Sequence, residues 1–117
     1  MKVAVVVTIL TGWDEGPFYY DNGDPEDSLN HWIDEDTVAF LRIGPELVRE
    51  LVAWDNEYQA TFNREDFRAS GFPSSSKEAE WVERGKALAL WLKNESPVVS
   101  AVDYQANGCI PDGSCMI

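Results

Sequence analysis

The spacing of apolar residues changes several times along the chain, and each change marks an element. Val3–Leu10 (VAVVVTIL) is apolar almost without a break. Its β-branched residues fall on both alternating faces, so Met1–Leu10 reads as a strand inside a sheet. From Gly44-Pro45 the period lengthens. Leu47, Leu51, Trp54, Tyr58 and Phe62 recur at three- and four-residue spacing, with Val48 and Val52 widening the stripe, which predicts an amphipathic helix. A second long helix starts at Ser75, where Ser75 and Glu78 have capping-box spacing, and its buried side is Trp81, Val82, Leu88, Ala89 and Leu92. Gly85 in its middle costs about 1 kcal/mol relative to alanine and predicts a close neighbouring helix. Asn94 and Pro97 close the helix, and Pro97–Tyr104 is a strand.

The remainder is punctuation. Gly12, Gly16, Pro17 and Asn22-Gly23 make Thr11–Asp24 a loop, with Phe18, Tyr19 and Tyr20 as a brief extended piece. Asp24-Pro25-Glu26-Asp27 has a helix N-cap, a proline at the first helical position and first-turn acids, predicting a short helix to about Trp32. Asp34-Glu35-Asp36 interrupts it, and Thr37–Ile43 fits either extended chain or a helical turn. Glu46–Arg49 and Glu80–Arg84 are spaced for surface ion pairs, each worth a few tenths of a kcal/mol. Residues 105–117 read as an irregular tail, with Cys109 and Cys115 as reduced thiols or a small disulfide loop. Neither long helix can bury its stripe alone. The prediction is a single α+β domain over residues 1–117, a two-layer sandwich with two long antiparallel helices on a small sheet that contains the N- and C-terminal strands.

Charge adds the next constraint. Across 117 residues, 21 Asp+Glu stand against nine Lys+Arg, a formal net charge of −12. Such a chain repels phosphate backbones and anionic lipid, so nucleic acid and membrane are not its partners. Eight apolar residues after a lone Lys2 make neither a membrane span, which takes about 20, nor a signal peptide; a cytoplasmic protein is expected. Nine of the acids lie within residues 14–36, a stretch of 23 with no Lys or Arg. Aromatic residues are mixed among them: Trp13, Phe18, Tyr19, Tyr20 and Trp32, beside His31. Acids interleaved with rings predict a docking face for a cationic protein, in which charge steers the encounter and aromatic anchors supply affinity. The face is expected to comprise Tyr19, Tyr20, Asp21, Asp24, Glu26, Asp27, Trp32, Asp34, Glu35 and Asp36; solubilising acidic loops are the plainer alternative.

Other chemistry is thin. Counted from Asp21, a calcium loop would need glycine at its sixth position and glutamate at its twelfth; Glu26 and Trp32 stand there instead. Cys109 and Cys115 lack further soft ligands nearby for zinc. No phosphate-binding glycine loop, GxSxG, HExxH or CxxC occurs, so neither a cofactor nor catalysis is expected. A small carboxylate-based metal site or enzyme around His31 is the alternative class. Trp54 and Trp81 fit the core, whereas Trp91 falls off its stripe and is expected to be partly exposed.

One resemblance is carried by Ile43-Gly-Pro-Glu-Leu-Val-Arg-Glu-Leu-Val-Ala-Trp54 and Glu80-Trp-Val-Glu-Arg-Gly-Lys-Ala-Leu-Ala-Leu-Trp-Leu92. The pattern P-E-L-x-x-x-L-x-x-W, then W-x-x-x-G-x-x-L-A-x-x-L, then a closing strand, is similar to a group of small acidic bacterial proteins. Some of these resemble immunity proteins of polymorphic or contact-dependent toxin systems. The resemblance covers about half the chain and brings no catalytic residues. It implies an inhibitor that binds and blocks a cognate toxin, to which the acidity adds a basic toxin, a nuclease, as the expected partner.

Overall fold

The computed structural model describes residues 4–117. The elements run β1 (Val5–Leu10), β2 (Phe18–Tyr19), β3 (Asn30–His31), α1 (Glu35–Leu41), α2 (Pro45–Gln59), a short 3-10 turn (Phe67–Ala69), α3 (Ser75–Glu95) and β4 (Val99–Ala106). The sheet order is β3-β2-β1-β4. β1 pairs antiparallel with β2 and parallel with β4. The expected α+β sandwich with two long helices on a sheet is therefore the fold. Met1–Val3, the start of the expected first strand, lies outside the described residues.

β1 is an inner strand, as expected, but its two faces differ. Val7 and Ile9 are buried on the helix side, whereas Val6 is half exposed. α3 lies on β4 and α2 packs on α3. The two long helices are antiparallel: the Gly44 N–H at the head of α2 donates to Glu95 at the end of α3, while Tyr58 near the end of α2 stacks with Trp81 near the start of α3.

The centre of this packing is a reciprocal tryptophan pair. Trp54 and Trp81 stack with ring centroids 4.4 Å apart and planes 3° from parallel. Each indole N–H donates to the other residue's backbone carbonyl, at 2.9 Å from Trp54 and 2.8 Å from Trp81. Both large rings thus sit at about 1% exposure with their polar atoms satisfied. Gly85 makes room: a Cβ there would overlap the Trp54 ring and the Tyr104 hydroxyl. That hydroxyl donates to the Val82 carbonyl at 2.6 Å, tying β4 to α3. Burial raises the Tyr104 pKa above its usual value, so the donor keeps its proton. From Trp81 the aromatic packing continues through Tyr58 to Trp13 and Phe62.

Several expectations need correction. Residues 24–32 form no helix. Asp21, Asn22, Asp24 and Ser28 each accept the backbone N–H two residues ahead, at 2.8 to 3.1 Å. Such Asx-type bonds compete with helical ones, and the segment lacks an apolar stripe to drive a helix. The chain instead returns to pair with β2 as β3. Conversely, Asp34-Glu35-Asp36 starts a helix: the Asp34 carboxylate accepts the Thr37 N–H at 3.1 Å, capping α1 with two acids in its first turn. The cap of α3 is Ser74, one residue earlier than expected. Of the expected ion pairs neither forms. Among the described residues Arg84 reaches across to Glu57 on α2 at 2.7 Å, and Arg64 pairs with Asp14 at 2.6 Å. The segment after β4 carries no strand but returns along it, with the Ile117 N–H donating to the Val102 carbonyl and the Tyr104 N–H to the Cys115 carbonyl. Cys109 and Cys115 are free thiols.

One buried carboxyl stands apart. Asp55 on α2 is 4% exposed and accepts a 3.3 Å bond from Gln59. Gln59 in turn donates to the Gly12 carbonyl and accepts the Asp14 N–H, fixing the loop after β1 to α2. Burial pushes the Asp55 pKa up to about 6, partly offset by the Gln59 bond.

Two outcomes follow from this packing. Gly85→Ala should destabilise the protein by about 2–3 kcal/mol in urea denaturation, because the overlap outweighs the ~1 kcal/mol gain in helix propensity. Since the folded state holds the Asp55 proton more tightly than the unfolded chain does, stability should fall as pH rises from about 4 to 6. Asp55→Asn should remove that slope, melting a few degrees above the parent at pH 7.5 and near it at pH 4.

Candidate functional site

Residues 14–36 enclose the β3 edge of the sheet, opposite β4. The Tyr20 N–H donates to the Leu29 carbonyl at 2.9 Å, closing the β2–β3 hairpin whose loop is residues 21–28. Asn22 donates across this loop to Asp27 at 2.7 Å. Asn30 pins the far strand, accepting the Gly16 N–H at 3.0 Å and donating to the Gly16 carbonyl at 2.6 Å. Only glycine fits at position 16, where a Cβ would overlap the His31 carbonyl.

Asp21, Asp24, Glu26, Asp27, Asp34, Glu35 and Asp36 are all exposed, and none has an ion-pair partner among the described residues. The loop acids precede β3 and the helix acids follow it. Burial raises the Tyr20 pKa, the Thr37 hydroxyl opposes the rise, and the charges of Asp34, Asp27 and Asp36 add to it. Three carboxylates from the two segments thus act on one phenol. The acids divide by duty. Asp21, Asp24 and Asp27 hold the loop and Asp34 caps α1, whereas Glu26, Glu35 and Asp36 accept no hydrogen bond among the described residues. Asp14 and Glu15 stand apart, engaged by Arg64 and by the Tyr19 hydroxyl at 2.8 Å.

The rings of this stretch are placed differently from expectation. Tyr20 is only 4% exposed. Its hydroxyl lies 2.9 Å from that of Thr37, and its ring stacks between His31 at 3.9 Å and Phe40 at 5.2 Å. Tyr20 docks α1 onto the sheet and offers no surface to a partner. Phe18 is core, and Trp13 stacks on Tyr58 and Phe62 with its N–H donating to Thr61. Trp32 is 45% exposed and Tyr19 is half-buried. Leu29, which the expected helix hid from notice, is 57% exposed beside β3. The outward rings are fewer than the sequence suggested, and Leu29 joins them.

His31 presents its Nε2 to the Tyr20 carbonyl at 3.1 Å while its ring stacks on Tyr20, an arrangement that holds the β2–β3 hairpin. Among the described residues no three His, Cys, Asp or Glu side chains converge as a metal site would need, and no helix is long and apolar enough to cross a membrane.

Residues 12–107 match the protein family described as Serratia CdiI immunity protein-like. No curated protein matches the chain. The matched span runs from the loop after β1 through β4 and contains the acidic segment, the tryptophan pair and Gly85. The family implies binding to a cognate toxin. With most of its length matched, this chain belongs to the Serratia CdiI immunity protein-like family.

Proposed function

We propose that this protein is a cytoplasmic, non-enzymatic immunity protein that neutralises a basic cognate toxin domain, a nuclease, by covering its cationic active site with the acidic edge of the sheet. One observation carries the reading: seven exposed carboxylates, none in an ion pair among the described residues, stand on the β2–β3 loop and at the start of α1, the segments on either side of the edge strand β3. A nuclease holds phosphates with lysines and arginines, and a surface carrying phosphate-like charge competes for those groups. Unpaired exposed acids repel one another, so a cationic partner relieves a strain that the free protein carries. Trp32, Leu29 and Tyr19, which border these acids, supply apolar contact at the same edge.

Glu26, Glu35 and Asp36 provide the cleanest test because none of them accepts a hydrogen bond among the described residues, Glu35 and Asp36 adding only first-turn charge to α1. Their joint reversal to lysine should slow association with the cognate toxin domain by about tenfold or more at low salt. It should also flatten the salt dependence of that rate and leave the melting temperature within a few degrees of the parent. Unchanged association measured by stopped flow would exclude this edge as the toxin-binding face.

A further inference from the structure

Val48 and Val52 belong by spacing to the apolar side of α2, yet neither is fully buried. With Val38, Ile43, Pro45 and Ala53 they line an open groove of about 630 Å³ between α1 and α2. The lining is apolar apart from Arg49 and Asn56. Val38 brings the groove next to the acidic segment: Asp34 and Glu35 stand four and three residues before it, the spacing of neighbours along α1. On α2, Glu46 and Glu50 precede Arg49 and Ala53 by three residues each, bringing further negative charge to the groove's flank.

We propose that this groove is the apolar half of the toxin interface, receiving a hydrophobic side chain that the toxin carries among its basic residues. The inference rests on the toxin-binding reading above and adds what that reading lacks. Exposed charges set the rate and register of an encounter more than its lifetime, and residence comes from anchors that are desolvated in pockets. At the acidic edge Leu29 and Trp32 are exposed and Tyr19 half-buried, whereas the groove offers a concave apolar seat. A partner seated on Asp34–Asp36 reaches Val38 within one helical turn, about 5.4 Å. Charge selects the occupant. Two copies of a chain carrying −12 repel, while a basic toxin is drawn to acids at the groove's end and along its flank.

The test fills the groove without altering charge. Ala53 and Asn56 are exposed on α2, so Ala53→Trp and Asn56→Trp, made separately, block the groove and leave the core intact. Binding to an inactivated form of the cognate toxin domain is followed by stopped flow and surface plasmon resonance. The expected result for both variants is dissociation at least tenfold faster, association within twofold of the parent, and an unchanged melting temperature. The Glu26, Glu35 and Asp36 reversal should show the opposite pattern, with slow association. Unchanged dissociation of both tryptophan variants, with the charge-reversed variant still slow to associate, overturns the groove and leaves the acidic edge standing. No binding by the parent overturns the toxin reading itself. A free protein that sediments as a dimer, converted to monomer by Ala53→Trp, assigns the groove to a second copy and also overturns the proposal.

Discussion

The fold depends on the exchange of hydrogen bonds between Trp54 and Trp81. Two stacked indoles bury a large apolar surface, but each brings an N–H whose burial without a partner costs about 1–3 kcal/mol. Here each N–H is satisfied by the backbone of the opposite helix. Apolar burial and polar satisfaction therefore demand the same register of α2 on α3. A slip of one residue would lose both bonds. Gly85 permits the approach, and Tyr104, whose ring lies 6.2 Å from that of Trp54, links the helix pair to β4. The two long helices and the parallel strands β1 and β4 are thereby fixed to one another.

The opposite edge of the sheet is built differently. The β3 edge is organised by short-range polar bonds: side chains of Asp21, Asn22, Asp24 and Ser28 to their own backbone, Asn30 to Gly16, and the Tyr20–Thr37 contact that seats α1. Such bonds give the loop a defined shape with little apolar burial. They also separate the acids into those that shape the surface and those that only charge it. A face whose charge can change without changing its fold suits the toxin-binding role proposed for it.

The sequence was most legible where burial imposes a period. The stripe Leu47, Leu51, Trp54 and Tyr58 and its counterpart Trp81, Leu88, Ala89 and Leu92 located both long helices, and Gly85 announced a close contact whose partner is the Trp54 ring. The pattern that carried the family resemblance includes Trp54, Trp81 and Gly85, the residues of the tryptophan exchange, which explains why it spoke for fold more than for activity. Legibility failed where one residue type serves two purposes. Asp24 and Asp34 are equally good helix caps by type, and what separates them is context: Thr37 and Leu41 give α1 a buried face, while nothing after Asp24 does. Tyr20 and Trp32 looked alike as rings among acids. Alternation along β2 turns Phe18 and Tyr20 to the core and leaves Tyr19 half exposed, and that phase depends on the pairing with β1. The groove between α1 and α2 was hidden for the same reason, since Val48 and Val52 read as core until the position of α1 is known.

Hydrogen exchange read by mass spectrometry, comparing the free protein with its complex with the toxin domain, addresses the central claim most directly. Amides of the 21–36 segment should exchange at least tenfold more slowly in the complex, with those of β4 and the segment after it unchanged. Protection confined to β4 and the chain that returns along it, with 21–36 exchanging as in the free protein, would contradict the account.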